Sequence, residues 1–431
     1  VDSKTILGVV FFVALERGID AIFKSNGIEF PAMLAGTIVL FATMIFAHIG
    51  FGKGEGIYQM VKPGADLLAK WLPVFFVPGL ATLPLAPSVG SALEVVKIFG
   101  VVVIGFLLSL ASCTYSVAAL RSAQGAVIFG KTSGAAGPKA AGASKPYTQD
   151  TLDKLIKASV VFVALSIPAL RMDAPYAILL RTAAMFCSTV AFFVYGARLP
   201  ASFTKIVHPL WVSTVGTLAV TQLVALATGS SFIDTLKTYR AASLSPTKGG
   251  AGDYLLYLLA PSVTSLAVAM YSRKALIQQN FLIVMSSMII SSFGSLFGTA
   301  GFVRLIQLGG KTNTFLRKSV LARSVTTALA IAITNMIGGN ISITAVVVCL
   351  TGILGATAGR VLLDLMGIQD PITRGLGLGA AGQGLGVASM VSEKDAFPFA
   401  AISMIMTGMG ATCLVSIPAV RKALLNFALG A

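Results

Sequence analysis

Three short stretches hold the side chains best able to do chemistry. In Ala322-Arg323-Ser324-Val325-Thr326-Thr327-Ala328 a cation is followed by three hydroxyls, and the apolar segment it opens later carries Asn335. A guanidinium donates two parallel hydrogen bonds, the geometry a carboxylate accepts. An Arg snorkelling to a lipid headgroup is the competing explanation, and the hydroxyl cluster and Asn335 favour a site. In Leu258-Leu-Ala-Pro261-Ser262-Val-Thr264-Ser265 a proline interrupts an apolar run. Proline has no N–H to donate. A half-helix restarting there would aim its free N–H groups and the hydroxyls of Ser262 and Thr264 at an anion; a plain proline kink is an equal alternative. In Arg374 to Ala388, six of fifteen residues are glycine and Gln383 is the one strongly polar side chain in the middle.

That glycine run contains Gly377-Leu-Gly379-Ala-Ala-Gly382, the pattern of a dinucleotide-binding turn. Such a turn must follow a strand and begin a soluble βαβ unit, and the apolar neighbours on both sides exclude one. In lipid, spaced glycines instead let helices approach closely, as Gly375/Gly379 and Gly382/Gly386 would, or permit unwound backbone beside a cavity. Gly382, Gln383 and Arg374 therefore join Arg323, Ser324, Thr326, Thr327, Asn335, Pro261, Ser262 and Thr264 as candidate substrate-binding residues. No nucleophile–base pair with local catalytic spacing accompanies them, so no catalytic residue is assigned and a membrane-embedded enzyme is disfavoured.

The elements that position these residues follow from composition. Of 431 residues, 56% are hydrophobic and 11% charged, against roughly 25% charged in soluble domains. This predicts an all-α polytopic membrane protein with about twelve transmembrane helices of about 20 residues each. The runs near 71–90, 320–338 and 372–391 are expected to be broken or re-entrant. The net charge of +16 sits mostly between apolar runs, where it sets topology and meets anionic membrane lipid. The basic stretches lack interleaved aromatics, so nucleic acid is not a partner. Cys113, Cys187, Cys349 and Cys413 are scattered, and His48 and His208 are far apart; neither a disulfide framework, a metal site nor a cofactor is expected. The chain opens on Val1 without an initiator Met, so any upstream targeting segment is expected to lie outside it. Glu16, Arg17 and Asp20 share the first apolar run, where an internal ion pair or subunit contact is expected.

A Gly/Ala/Ser/Lys-rich segment over 121–150 reads as a flexible linker between parts 1–120 and 151–431. Its GKTSG has the wrong spacing for a phosphate loop. Arg121, Lys131, Lys139, Lys145, Lys154 and Lys157 outweigh Asp150 and Asp153 there, which places the linker and the N-terminus on the inner face. Lys237, Arg240, Lys311, Arg317 and Lys318 fall on the other side, as re-entrant segments would cause.

These stretches carry a family likeness. Pro31-Ala-Met-Leu-Ala-Gly36 and Leu67-Leu-Ala-Lys-Trp-Leu-Pro-Val-Phe-Phe-Val-Pro78 resemble the LrgA/CidA holin-like proteins. Leu259-Ala-Pro261, Arg323-Ser-Val-Thr-Thr327, Ile343 to Gly355 and Asp370 to Gly379 resemble their LrgB/CidB partners. Fusion of the two parts resembles the plastidial glycolate/glycerate carriers of the chloroplast inner envelope. That resemblance implies exchange of glycolate and glycerate in photorespiration, a stromal inner face and a homodimer or other homo-oligomer. A holin-like pore or regulator remains the alternative. The first part is then scaffold and oligomerisation surface and the second the moving transport part, elevator-like by analogy. The LrgB pattern has His in the stretch where this chain has Ala381-Gly382-Gln383-Gly384-Leu385-Gly386, and Gln cannot take up a proton; hydrogen bonding to a hydroxy acid stays open to it. Lys often stands where this chain has Arg323, which keeps the charge. Deleting Gly134 to Ser144 removes no apolar run, so uptake into proteoliposomes is expected to survive it; loss of uptake in a correctly inserted protein would assign the linker a gating role.

Overall fold

A bilayer offers no water to backbone N–H and C=O groups, so long apolar runs close their hydrogen bonds within helices. The computed structural model describes residues 2–28, 30–130, 147–204, 207–310 and 313–430, and among these every regular element is helical. One isolated bridge joins Phe129 and Ile368. In chain order the helices that matter here are α1 (Ser3–Ser25), α2 (Ala32–Phe51), α3 (Gly54–Trp71), α4 (Ala92–Ala123), α5 (Gln149–Arg171), α6 (Ala177–Arg198) and α7 (Pro209–Thr228). Three short helices follow: α8 (Ala251–Tyr257), α9 (Leu259–Thr264) and α10 (Leu266–Tyr271). The rest are α11 (Phe281–Leu305), α12 (Thr314–Val320), α13 (Thr327–Ile337), α14 (Ile341–Leu365), α15 (Pro371–Ser389), α16 (Phe397–Ser416) and α17 (Pro418–Leu429). Among the described residues, nine helical stretches are long and apolar enough to cross a membrane.

The runs expected to break do so, each for a visible reason. Beyond α3, Leu72–Phe76 and Leu83–Leu85 are 3-10 turns flanking a five-residue helix, because Pro73, Pro78 and Pro84 interrupt the backbone ladder. The run near 320–338 holds only the 11 residues of α13, half the length a span needs, and a non-helical turn separates it from α12. Lys131, Lys139 and Lys145, the GKTSG stretch from Lys131 on, the segment Gly134 to Ser144, and Lys311 lie outside the described residues. In α1, Arg17 lies 3.8 Å from both Glu16 and Asp20, the internal pairing expected there.

The chain forms two compact units. One contains α1, α2, most of α3, α4 and everything described from Val263 onward; the other contains Leu67–Pro87 and the helices from α5 to Ser262. These units cut across the sequence division at the linker, since α4 belongs with α11, α14 and α15. In the second unit Ala81, Met185, Leu236, Tyr239 and Ala251 form a buried cluster. The Thr189 hydroxyl lies 3.0 Å from that of Thr217 and 3.2 Å from that of Tyr239.

In the first unit Phe106 and Leu110 of α4 pack with Leu363 of α14, Leu378 and Ala381 of α15, and Ala400 and Ala401 of α16. Lipid tails are as apolar as leucine, so close packing rather than exclusion from water holds such helices together. Gly355 and Gly382 let α14 and α15 approach closely: a Cβ on Gly355 would lie 2.5 Å from the Gly382 Cα, and one on Gly382 2.9 Å from the Gly355 Cα. Asp370 caps α15, accepting from the Thr373 N–H at 2.9 Å and hydroxyl at 2.7 Å. Arg121, at the end of α4, donates to it at 2.9 and 3.3 Å.

Burial alone would raise the Asp370 pKa, but the Arg121 guanidinium and the Thr373 bonds outweigh it and hold the carboxyl below its usual range. A depressed folded pKa contributes in full above the unfolded value of about 3.9, and the contribution fades as pH falls through the folded value. Asp370→Asn is therefore expected to lower the thermal midpoint at pH 6 and to flatten its decline in acid. An unchanged midpoint in detergent at pH 6 would contradict this.

Candidate functional site

The turn between α12 and α13 places a guanidinium inside the first unit. Arg323 is 2% exposed, held by main-chain bonds from its own N–H to Val320 and from Val325 to Ala322. Its Nε donates to the Thr299 hydroxyl of α11 at 3.1 Å, and one terminal nitrogen, Nη2, donates to the Gly105 carbonyl and, at 2.8 Å, to the Ser109 hydroxyl of α4. The other, Nη1, is buried without a hydrogen-bond partner. All three partners are neutral, so the charge is uncompensated by any of them, and a buried cation in that state is costly. Arg323 lines a cavity of about 180 Å³ together with Gly105, Ser109, Ser112, Gly294, Gly298 and Thr299.

A second unsatisfied group belongs to the same turn. α15 is interrupted at Gln383, whose backbone takes φ 49° and ψ −147°, a region nearly reserved for glycine that costs about 1–3 kcal/mol. The side chain holds the break: Nε2 donates to the Ser324 carbonyl and, at 2.8 Å, to the Ala380 carbonyl. Two carbonyl acceptors fix which end of the amide is nitrogen. Its Oε1 is buried without a partner. Ser324, 1% exposed, also sets its hydroxyl 3.4 Å from that of Ser109. One turn thus anchors an unsatisfied cationic donor and, through Gln383, an unsatisfied acceptor. Neither Gln383 nor Ser324 lines the cavity beside Arg323; an anion suits the first unsatisfied atom and a hydroxyl donor the second.

The other expected site residues fall elsewhere. Arg374 is a correction: its guanidinium donates to Glu393 at 2.8 and 2.9 Å, to Asp364 at 2.8 Å and to the Ile368 carbonyl at 2.8 Å. Asn335 is exposed on α13, not gathered with Arg323. Thr326 is the residue before α13 and Thr327 its first; neither lines the cavity. The proline break expected at Pro261 is a bend. Leu258 and Ser265 keep right-handed helical angles, and the Ser262 N–H still reaches the Leu258 carbonyl at 3.2 Å. The Ser262 hydroxyl donates to Leu258 at 2.7 Å and that of Thr264 to Met33 at 3.3 Å, so neither assembles a half-helix anion site. Pro261 and Ser262 belong to the second unit and Thr264 to the first. Gly382 is in the packing of α14 on α15 rather than in the cavity wall.

Sequence reasoning missed Gly105, Ser109 and Ser112 on α4, and Gly294, Gly298 and Thr299 on α11. A signal existed for the last: Ser287, Ser291, Ser295 and Thr299 recur every fourth residue along α11, and all are buried.

Fold and site together define a polytopic helical membrane protein that holds an uncompensated cation against a small cavity. The model of the LrgB-like family matches residues 189–420, more than half of the chain, and the chain belongs to that family. It is similar to the plastidal glycolate/glycerate translocator 1, chloroplastic, of Arabidopsis thaliana, with 32% identity over 98% of this chain and 80% of that protein. It is also similar to the antiholin-like protein LrgB of Bacillus subtilis, with 28% identity over 37% of this chain and 67% of that one. No solved structure matches.

Proposed function

We propose that this protein is a secondary carrier that exchanges glycolate and glycerate across the chloroplast inner envelope. The observation that carries the reading is the pair of unsatisfied buried atoms, Arg323 Nη1 and Gln383 Oε1, tied to one turn. A 2-hydroxy carboxylate supplies a carboxylate for the first and a hydroxyl donor for the second. The near full-length similarity to a glycolate/glycerate translocator supports the same substrates. The holin-like alternative draws its support from relatives that cover a smaller share of the chain.

Exchange rather than one-way transport follows from the charge. Moving the unloaded site carries a buried cation without a counter-ion, whereas a bound monoanion neutralises it before the site moves. The loaded forms then interconvert far more readily than the empty one, and glycolate leaving for glycerate entering is electroneutral. Counterflow in proteoliposomes tests this. Uptake of labelled glycolate is expected to saturate and to be stimulated by glycerate on the opposite side. Linear uptake that the opposite side does not influence would establish a pore and sink the carrier.

A further inference from the structure

We propose that Gly298, with Gly294 one turn before it, sets the size of hydroxy acid that the Arg323 cavity admits, and so allows a three-carbon substrate beside the two-carbon one; this rests on the carrier reading above. The cavity of about 180 Å³ exceeds the roughly 150 Å³ that accepts a benzene molecule, so its volume suits a substrate of glycerate's size. Both glycines line it, and a Cβ added to either would meet no atom within 4 Å. The other cavity-lining glycine differs. A Cβ on Gly105 would strike the Arg323 guanidinium, and on α11 itself a Cβ on Gly301 would lie 3.2 Å from the Phe427 ring. Gly105 and Gly301 are therefore accounted for by packing, while Gly294 and Gly298 leave space unfilled.

Their side of the cavity is its open side, where Leu108, Ser112, Gly294 and Gly298 are exposed. The far wall is the polar one, with Arg323 fixed between Thr299 and α4. A carboxylate held there directs the remainder of the substrate outward, towards the glycines. Ser112, on α4 at the open side, makes one long bond from its hydroxyl, 3.3 Å to the Ser109 carbonyl, which leaves its oxygen able to accept from a hydroxyl on a third carbon. Bulk at Gly298 enters that space without displacing a packed neighbour.

The test is counterflow with the purified full-length chain in liposomes, measured in parallel for labelled glycolate and glycerate. Gly298→Ala is expected to lower the glycerate-to-glycolate ratio of kcat/KM by about tenfold or more, the usual worth of one misplaced carbon in a fitted site. Gly298→Val should lower it further, and Ser112→Ala should lower it in the same direction. A ratio unchanged in both Gly298 variants overturns the proposal, whether both substrates persist or fall together. If they fall together and the particle size in detergent shifts, the two glycines serve a contact with a second copy. Saturable exchange that survives Arg323→Ala at wild-type rate would instead overturn the carrier reading, and this inference with it.

Discussion

Arg323→Ala is expected to abolish exchange of glycolate and glycerate, and Arg323→Lys to leave a weakened carrier. Truncating one partner of a buried, hydrogen-bonded charge pair costs about 2–5 kcal/mol, or roughly one and a half to three and a half orders of magnitude in affinity. Lysine keeps the charge but is a point donor, unable to engage Thr299, Ser109 and a carboxylate as a planar fork does. The structure adds a control that loss of activity alone does not give. Because Nη1 has no partner, the wild-type site is stabilised by nothing that compensates its charge, and Arg323→Met removes that burden. The Met protein is expected to insert normally, to melt no earlier than wild type, and to be inactive. Early melting would mean that the arginine serves the fold, and exchange at wild-type rate with equal protein in the membrane would remove it from the site.

How much of this was legible in the sequence depends on how local each signal was. The broken run near 71–90 was legible, because Pro73, Pro78 and Pro84 act on the backbone beside them. The cation and the polar side chain in the glycine run were legible because a bilayer makes every intramembrane polar group conspicuous. Their partners were not. Gly105 and Ser109 lie more than two hundred residues from Arg323 in the chain, and nothing in α4 marks them until the helix is placed. Asn335 was misplaced because α13 begins at Thr327 after a non-helical turn, so helical phase cannot be counted through from Arg323. Arg374 looked free because its carboxylates, Asp364 and Glu393, lie 10 and 19 residues away and converge only when α14 and α15 fold back. Pro261 looked like a break, yet Leu258 and Ser265 keep helical angles and the Ser262 N–H still reaches the Leu258 carbonyl, so the missing proline N–H bends the chain without freeing a helix start.

Substitutions on either side of the peptide that joins Gly382 to Gln383 should separate packing from recognition. Gly382→Leu puts a branched side chain where the Gly355 Cα already lies 2.9 Å from any Cβ, so α14 and α15 must part; this protein is expected to be inactive and to melt early. Gln383→Leu keeps the side-chain volume and removes the amide. It leaves the Ser324 and Ala380 carbonyls without their donor and removes the Oε1 acceptor, so some loss of stability is expected as well as a loss of glycolate affinity of about tenfold or more, the worth of roughly 1–3 kcal/mol for an unpaired buried group. The measurement that isolates recognition compares glycolate with acetate, which has the carboxylate but no hydroxyl. A site built to accept a substrate hydroxyl rejects the analogue that lacks it, so wild type should prefer glycolate strongly. In Gln383→Leu that preference should collapse, because glycolate binding weakens while acetate binding, which never used Oε1, changes little. If Gln383 only holds the helix break, both acids weaken in proportion and the preference survives. That outcome would leave Arg323 as an anion site without a hydroxyl reader.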